Sequence, residues 1–455
     1  MLTVIDPTTG KLVREVEAAD AEQAQQAVAR AQEAFGDWRR RTFAERAEIL
    51  SAVAARMRED RERLALLMTE EMGKPIIEAR GEVDKAAWCA EHYAEHAEAY
   101  LATETLASDA THSYVQYLPL GVILGILPWN APFWLAFRFL APTVMAGNTC
   151  LMKHDSHVPA CAAAIAEVFE EVGPPGIVIN LPLRSSDVEP VIRDQRVKGV
   201  SLTGSDRAGS IVGGQAGEEI MPAVLELGGS DPAIVLADAD LEAAAATITT
   251  MRMINAGQSC IAAKRIIVED AVHDEFVELL RERMAALTMG DPREEDTQVG
   301  PIAREGLRDE LHDQVRRSVD AGATCVLGGE IPDGEGFFYP PTILTGVTTD
   351  MAASCEETFG PVAAVLRASD ADEALRLAND SPYGLGASVF TDRARGEAMA
   401  REIVSGQVAV NGIVKTDPRL PSGGVKRSGI GRELGPHGIR EFVNAQQVWV
   451  GPKQE

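Results

Sequence analysis

The chain has 455 residues, of which 45% are hydrophobic and 25% charged, and its formal net charge is −26. This composition is typical of a globular protein of two or three domains, large enough to bury a core without disulfide or metal support. The acidic balance disfavours nucleic acid and anionic membranes as partners, although a site can still be locally positive.

No basic segment followed by an apolar run opens the chain, and no stretch of 18 apolar residues occurs. Neither a signal peptide nor a membrane span is therefore predicted. The six cysteines are scattered and form no C-x-x-C pair, which disfavours a disulfide framework in a chain of this length. We expect a cytoplasmic protein with free thiols.

Residues 21–104 carry apolar residues at helical spacing, most clearly over 21–35 and 44–58. Short β-rich runs then alternate with Ala-rich helical stretches, which predicts a parallel, doubly wound sheet. The strands expected in this first series are 122–127, 149–152, 176–180, 199–203 and 223–227.

A second alternating series follows, so two α/β units are predicted in succession. Its expected strands are 232–236, 264–268, 363–367, 386–391 and 406–410, and its helices are 239–253, 271–287, 303–320 and 371–379. Two further strand-like segments, 113–118 and 442–450, have no obvious neighbour in either series and need a partner.

One cysteine stands in a segment suited to nucleophilic chemistry. Residues 255–260 read NAGQSC, so small and polar residues bring the backbone close around the Cys260 thiol. A nucleophilic thiol needs access and a lowered pKa, which helix N-terminal amides can supply. A buried structural role is the commoner fate of cysteine and is expected for the other five. The context favours catalysis at Cys260.

Two polar residues follow predicted strands, at the sheet edge where α/β proteins bind ligands. Glu226 lies at the end of the strand 223–227, and partial burial there would raise its pKa towards that of a general base. Asn130 follows the strand 122–127, and its amide could donate to a developing oxyanion. Taken singly, a solvated glutamate and a turn-forming asparagine are the more common explanations.

Four motifs occur in one order: PWN at 128–130, ELGG at 226–229, GQSC at 257–260 and EETFGP at 356–361. With EMGKP at 71–75 and the glycine-rich stretch 421–431, they resemble the aldehyde dehydrogenase superfamily over nearly the whole chain. The resemblance implies an α/β fold of two successive doubly wound domains plus a small β oligomerisation flap. It is greatest to a short bacterial NADP-dependent branch that oxidises succinate semialdehyde.

The resemblance implies a role for each catalytic residue. Cys260 attacks the aldehyde, while the Asn130 amide and the backbone N–H of Cys260 hold the oxyanion. Hydride passes to the nicotinamide and leaves a thioester, which water activated by Glu226 hydrolyses. A CoA-acylating relative would not need this base, so Glu226 disfavours that alternative. The intact set of three residues disfavours a non-catalytic structural or binding protein on the same fold.

Cofactor residues also follow from matching motifs. Gly204 and Ser205 open a predicted helix whose backbone N–H groups suit a pyrophosphate. The chain contains neither G-x-G-x-x-G nor the P-loop pattern, so these motifs alone would not reveal the site. The other residues that the resemblance places at the cofactor are Trp129, Leu227, Glu357 at the nicotinamide ribose, and Phe359 near the nicotinamide.

The segment 153–156 reads KHDS and bears on cofactor choice. Lys153 matches the residue that reaches the adenosine ribose, and NAD-preferring relatives usually carry Glu three residues later. That Glu would repel a 2′-phosphate, whereas Ser156 can donate to one and Lys153 supplies charge. We therefore expect NADP to be preferred, with NAD as the second option because Asp155 is anionic and close.

Arg138 lies in the apolar run 132–140, where a guanidinium needs a partner. An anionic ligand, a buried carboxylate or aromatic stacking would each serve. Succinate-semialdehyde-oxidising relatives carry Arg at the matching place, in contact with the substrate carboxylate, and Thr416 could donate to the same group. Replacing Arg138 by alanine should then erase a preference for semialdehydes and spare neutral aldehydes. The loop 413–419 and Ser422, where those relatives have Phe, leave another aliphatic or aromatic aldehyde open as substrate.

A competing motif, HYAEH at 92–96, fits the inverted zinc-protease pattern. On a helix both imidazoles would share one face, but no convincing third ligand lies nearby in the sequence. A polar helix face is the favoured explanation, and no metal is expected.

The resemblance also sets the expected domain boundaries. Residues 1–112 and 122–229 would form the cofactor-binding domain, residues 230–433 the catalytic domain, and residues 113–121 and 434–455 the oligomerisation strands. The family fold implies that the two unpartnered strand segments build this flap, so a homodimer or homotetramer is expected.

Overall fold

The computed structural model describes residues 1–451 of the chain. The N-terminal region contains a hairpin, four helices and two further strands. These are β1 (Leu2–Ile5), β2 (Leu12–Val16), α1 (Ala21–Trp38), α2 (Phe43–Glu59), α3 (Arg61–Met72), α4 (Ile76–Tyr100), β3 (Glu104–Thr105) and β4 (His112–Pro119). Asp20 and Thr42 begin α1 and α2 with capping boxes, which satisfy N–H groups that the first helical turn leaves free.

The next stretch alternates strands and helices and builds the first sheet. Its elements are β5 (Val122–Leu127), α5 (Pro132–Met145), β6 (Thr149–His154), α6 (Pro159–Val172), β7 (Val178–Asn180), α7 (Glu189–Ile192), β8 (Val197–Thr203), α8 (Asp206–Glu218) and β9 (Ala223–Glu226). These strands are parallel in the order β9-β8-β5-β6-β7. The chain therefore winds outwards from β5 in both directions, and a ligand crevice is expected beyond the carboxyl ends of β5 and β8.

The second sheet follows the same principle. Its region contains β10 (Asp231–Val235), α9 (Leu241–Met253), β11 (Ala263–Glu269), α10 (His273–Ala285), α11 (Glu305–Asp320), β12 (Thr324–Leu327), β13 (Thr342–Thr345), α12 (Ala352–Cys355), β14 (Val362–Ala368), α13 (Ala371–Asn379), β15 (Gly386–Phe390), α14 (Arg393–Met399) and β16 (Gln407–Val410). The strand order is β12-β13-β14-β11-β10-β15-β16, and only the β12–β13 pair is antiparallel. Helices cover its central strands, whose residues are almost all buried.

The last strands of the chain pair with strands that precede them by many residues. The last elements are β17 (Gly429–Ile430), α15 (Gly435–Arg440) and β18 (Val443–Val450). Strand β17 pairs antiparallel with β9 and places Gly429 opposite Glu226, so it completes the first sheet as a sixth strand. Strand β18 pairs antiparallel with β4 along its whole length, and β3 pairs with the other edge of β4. These three strands form the third sheet.

The predicted architecture of two successive doubly wound units and a small separate β element is confirmed. The segments 113–118 and 442–450, expected from the sequence to need a partner, pair with each other as β4 and β18. Strand β17 lies within the stretch 230–433 but joins the first sheet, so the expected catalytic segment is interrupted. Residues 452–455 of the expected terminal segment lie outside the described residues.

None of the helices within residues 1–451 combines the length and the apolar character that crossing a bilayer requires.

Candidate active site

The nucleophile lies in a turn between α9 and β11. After α9 the chain bends sharply, because Asn255, Ala256 and Gly257 have positive φ values of 54°, 51° and 73°. A side chain at Gly257 would collide with the Gly360 carbonyl, so glycine is required there. This path presents Cys260 in the turn before a strand, without a helix N-terminus behind it.

Charged side chains determine the electrostatics of the nucleophile. Cys260 is half-buried as a residue, but its thiol is enclosed, and this burial raises the thiol pKa to about 11. Lys264 and Arg138 lower the pKa, whereas Glu357 and Glu226 raise it further. Lys264 Nζ donates to the Cys260 carbonyl at 2.6 Å and pairs with Glu357 at 2.9 Å. Two cations, rather than helix N-terminal amides, therefore favour the thiolate.

Asn130, which follows β5, reaches the nucleophile turn. Its Nδ2 donates to the Gln258 carbonyl at 3.1 Å, and its own carbonyl accepts from Asn255 Nδ2 at 2.9 Å. These two bonds tie the end of β5 to the residues just before Cys260. That the Asn130 side-chain amide holds an oxyanion formed at Cys260 stays a prediction.

A buried ion pair supports Asn130 from the N-terminal helices. Lys74 Nζ donates to the Asn130 carbonyl at 3.0 Å and forms an ion pair with Glu82 on α4. Glu82 also accepts from the backbone N–H groups of Phe133 and Trp134 at 2.9 and 3.2 Å. A carboxylate at these free N–H groups stabilises the start of α5, and with it the conformation of Asn130.

Glu226, at the carboxyl end of β9, is buried beside a second carboxylate. Arg138 Nη2 lies 2.9 Å from Glu226 Oε2 and 2.6 Å from Glu433 Oε2. Burial raises the pKa of Glu226 to about 7, Arg138 opposes the rise and Glu433 adds to it. The other oxygen of Glu226 has no protein partner within residues 1–451, and Gly423 leaves it space. This carboxylate therefore has the pKa and the free lone pairs of a general base.

The environment of Arg138 bears on the role predicted for it. The side chain, on α5, is only 3% exposed, and its partners in the protein are the two carboxylates Glu226 and Glu433. Of the three partners considered for a guanidinium in this apolar run, the structure shows buried carboxylates. A contact between Arg138 and a substrate carboxylate stays a prediction, and it would have to share the guanidinium with both glutamates.

The carboxyl end of β8 has the shape expected of a phosphate site. Gly204 and Ser205 follow β8, and Ser205 begins α8 by accepting from the Ala208 N–H at 3.3 Å. Space beside Gly204 is open, since an added Cβ would meet no atom within 4 Å. The remaining N–H groups of the first helical turn can bind an anion.

Lys153 and Ser156 lie at the end of β6, next to Asp155, whose carboxylate interacts with His157. Lys153 is buried, which lowers its pKa. Asp155 accepts from the backbone N–H of His157 at 3.0 Å and contacts His157 Nδ1 at 2.7 Å. Burial raises the Asp155 pKa, but His157 and Arg304 together bring it below its ordinary value. The repulsion that Asp155 would exert on a nearby phosphate is thus reduced.

Residues from both sheets meet on the nicotinamide side of the predicted cofactor site. The Gly229 N–H donates to Glu357 Oε1 at 3.1 Å, which joins the turn after β9 to the segment before β14. Trp129 and Phe359 pack edge to face with ring centroids 5.7 Å apart. Leu227 is buried. The structure therefore brings Trp129 to Phe359, and it brings the turn that contains Leu227 to Glu357.

Thr416, the second predicted substrate residue, is buried, and its hydroxyl oxygen already accepts two hydrogen bonds. Its Oγ1 accepts from Trp134 Nε1 at 2.9 Å and from Lys85 Nζ at 3.2 Å. The neighbouring Asp417 pairs with Arg419 at 2.6 Å. The carboxylate that could have repelled an anionic substrate is therefore neutralised within its own loop.

Ser422 replaces an apolar residue of the resembling branch and is buried. Its hydroxyl lies 3.4 Å from Gln407 Nε2, and its backbone exchanges two hydrogen bonds with Glu433. Ser422 thus helps to position the carboxylate that shares Arg138 with Glu226.

The HYAEH motif lies on α4. His92 Nε2 bonds the Tyr100 hydroxyl at 3.1 Å, while Glu95 is largely exposed. Within residues 1–451 no three His, Cys, Asp or Glu side chains are grouped so that they could hold a metal ion.

Four residues that sequence reasoning did not assign complete the site: Lys74, Lys85, Lys264 and Glu433. Lys74 lies in the EMGKP motif, and Lys264 lies in the segment 261–265, which reads IAAKR; a lysine among small or apolar residues is a signal of burial. Glu433 lies in the glycine-rich region near the C-terminus. Nothing in the sequence around Lys85 distinguishes it from a solvated lysine on a helix.

Comparison with known proteins assigns the chain to a family. The aldehyde dehydrogenase family model matches residues 1–448. The chain is 48% identical over 454 residues to a Mycobacterium tuberculosis protein named succinate-semialdehyde dehydrogenase (NADP(+)) 1, covering 99% of both chains. It is 45% identical over 454 residues to the Mycobacterium leprae protein named succinate-semialdehyde dehydrogenase (NADP(+)), again with 99% of both covered.

A solved structure agrees with these relatives. Succinic semialdehyde dehydrogenase from Streptococcus pyogenes, in complex with NADP+, superposes with a TM-score of 0.97 at 36% identity, covering 99% of this chain and 100% of that one. The chain belongs to the aldehyde dehydrogenase family.

Proposed function

We propose that the protein is an NADP-preferring aldehyde dehydrogenase that oxidises succinate semialdehyde to succinate through Cys260. Two observations support the proposal: Asn130 Nδ2 donates to the Gln258 carbonyl, two residues before Cys260, and Glu226 influences the pKa of the Cys260 thiol. The names of the mycobacterial and streptococcal relatives support the choice of substrate and cofactor.

The first requirement of this chemistry is removal of the thiol proton. The thiol pKa of about 11 means that a thiolate needs help to form at neutral pH. Glu226, whose pKa is raised to about 7, is available as a proton acceptor, and Lys264 and Arg138 stabilise the resulting negative charge.

The reaction then has two stages, formation of a thioester on Cys260 and hydrolysis of that thioester. The Cys260 sulfur bonds to the aldehyde carbon, and the carbonyl electrons move onto oxygen, which accepts from the Asn130 amide and the Cys260 N–H. The nicotinamide, when bound, supplies the acceptor for the hydride that leaves this carbon. Glu226, after releasing the thiol proton to solvent, takes a proton from water as the water oxygen adds to the thioester, and the C–S bond breaks to release the acid.

The cleft residues fit a dinucleotide phosphate. The open space at Gly204 and the N-terminus of α8 suit the pyrophosphate, and Glu357 suits the nicotinamide ribose. Lys153 and Ser156 suit the 2′-phosphate, since Asp155 is engaged by His157. We therefore favour NADP over NAD.

Three further expectations belong to the same proposal. Arg138 influences the pKa of the Cys260 thiol, Thr416 accepts from Trp134 on the same helix as Arg138, and both are candidates for contact with the substrate carboxylate. The third sheet is proposed as the contact surface of a homodimer or homotetramer, since the outer edge of β18 is open to a further strand within residues 1–451. A cytoplasmic location and the domain division stay predictions from the sequence.

The proposal is tested by measuring reduction of NADP and NAD with a panel of aldehydes that includes succinate semialdehyde, butanal and benzaldehyde. We expect the highest kcat/KM for succinate semialdehyde with NADP, without added CoA. A requirement for CoA would replace hydrolysis by acyl transfer. A higher kcat/KM for butanal would remove succinate semialdehyde as the substrate and leave the chemistry at Cys260 in place.

A further inference from the structure

Lys85 is a cation close to the two predicted substrate residues, Thr416 and Arg138, and no step of the proposed reaction uses it. It lies on α4 and is half-buried. Its ammonium stands 4.1 Å from the centre of the Trp134 ring and donates to Thr416 Oγ1 at 3.2 Å. Both partners are buried, and neither carries a charge that would neutralise the ammonium.

The carboxylates near Lys85 are bound to other cations. Glu82 pairs with Lys74, and Asp417 pairs with Arg419 at 2.6 Å. Burial lowers the pKa of Lys85 to about 8, an effect to which Arg138 adds, while Glu82, Cys89 and Asp417 oppose it. An ammonium that has lost much of its water and has no close carboxylate gains more from an anionic ligand than a solvated lysine does.

Arg138 is in the opposite situation. Its Nη2 is shared between Glu226 and Glu433, at 2.9 and 2.6 Å, so its positive charge already balances buried negative charge. A substrate carboxylate placed on Arg138 alone would be the third carboxylate around one guanidinium. Such a site would repel the anion more than it attracts it unless another cation contributes.

The two cations lie along one face of α5. Trp134, under the Lys85 ammonium, precedes Arg138 by four residues, and positions four apart are neighbours on a helix surface. Arg138 also influences the pKa of both the Cys260 thiol and the Lys85 ammonium. Lys85, through Trp134, therefore lies on the same face of α5 as Arg138, whose charge also acts on the Cys260 thiol.

We infer that Lys85, oriented by Thr416 and Trp134, is the specificity-determining cation that binds the carboxylate of the semialdehyde, while Arg138 mainly positions Glu226 and Glu433. The inference rests on the proposed function and adds to it the residue that selects the substrate class. The ligand it requires is an aldehyde with a carboxylate a few atoms from the reacting carbon.

The test compares kcat/KM for succinate semialdehyde and for butanal in wild type, Lys85→Met, Lys85→Arg and the control Lys415→Met. Lys415 lies next to Thr416 in sequence but is exposed, so Lys415→Met removes a nearby charge from the surface only. We expect Lys85→Met to lower the ratio of the two kcat/KM values roughly tenfold to hundredfold, the range of one charge-assisted hydrogen bond. Lys85→Arg should keep most of the ratio, and Lys415→Met should leave it unchanged.

A second measurement needs no turnover. Succinate should slow alkylation of Cys260 by iodoacetamide in wild type, and the succinate concentration for half protection should rise at least tenfold in Lys85→Met. Protection of Cys260 from alkylation can be measured even if the catalytic rate of Lys85→Met is low.

The outcomes distinguish an error in the role of Lys85 from an error in the proposed substrate. If wild type handles butanal as well as succinate semialdehyde, the proposed substrate is wrong, and Lys85 has no substrate carboxylate to bind. If wild type prefers the semialdehyde but Lys85→Met keeps that preference and the succinate protection, the role of Lys85 is wrong and the proposed function stands.

Discussion

Removal of the Arg138 guanidinium should impair oxidation of every aldehyde, charged or neutral. The side chain is 3% exposed and is the cation between Glu226 and Glu433, so water cannot readily take its place in Arg138→Met. Deleting one partner of a buried ion pair costs about 3–5 kcal/mol, because a charge is left uncompensated. The protein can avoid this cost by binding a proton, which means that the pKa of Glu226 rises above its value of about 7.

The size of the effect follows from that rise. Each pH unit corresponds to about 1.4 kcal/mol, so even a part of the lost pairing energy raises the pKa by about one to two pH units. Thioester hydrolysis needs the ionised carboxylate, and at pH 7 its rate should fall roughly fivefold to fiftyfold. The rate should recover as the pH is raised through the new pKa, since alkaline conditions restore the carboxylate.

The assay is the steady-state rate with butanal between pH 6 and pH 10, for wild type, Arg138→Met and the charge-conserving Arg138→Lys. We expect the rising limb of the profile to move to higher pH in Arg138→Met and to move less in Arg138→Lys. A normal rate with butanal and an unshifted profile in Arg138→Met would refute this reasoning. That result would favour the sequence-based prediction, in which Arg138 serves only the substrate carboxylate.

Four further outcomes are expected. Cys260→Ser should abolish NADPH formation and leave the melting temperature close to that of wild type, because a hydroxyl is far less nucleophilic than a thiolate; normal turnover would exclude the thioester route. Glu226→Gln should give at most one NADPH per active site in rapid mixing and then a slow steady state, and an unchanged steady state would show that another base hydrolyses the thioester. Ser156→Glu should shift the ratio of kcat/KM values towards NAD by repelling the 2′-phosphate, and a wild type that prefers NAD contradicts that explanation. The KM for succinate semialdehyde should rise above about pH 8 as Lys85 loses its proton, whereas Lys85→Arg should show no such rise; identical profiles would argue against a charged contact.

The residues at strand ends could be predicted because their placement depends on local sequence. Asn130 comes three residues after β5 and Glu226 ends β9, and both strands are visible as apolar runs. In a doubly wound sheet the carboxyl ends of the strands meet at one edge, so two residues far apart in sequence could be expected in one crevice. Cys260 was recognisable from the small residues that its turn requires, of which Gly257 has a φ of 73°.

The charge partners could not be predicted in this way. Arg138 and Glu226 lie 88 positions apart, and the sequence near either residue does not specify the other. The same holds for Lys85 and Thr416, which are 331 positions apart. Such contacts depend on how α4, α5 and the late loops pack together, which hydrophobic periodicity does not encode. The pairing of β4 with β18 was missed for the same reason, since each strand is isolated from the other in sequence.

The antiparallel pairing of β17 with β9 has a consequence for synthesis of the protein on the ribosome. The turn after Glu226 is closed by the Ser428 hydroxyl, which donates to the Gly228 carbonyl at 2.7 Å from 200 positions further along the chain. At about 5–20 residues per second, that partner emerges roughly 10–40 seconds later. Until then the strand that carries Glu226 is an open edge of the nascent sheet, able to pair with the wrong strand. Emergence of residues 428–430 from the ribosome, rather than of the first sheet alone, is therefore the step that completes the surroundings of Glu226.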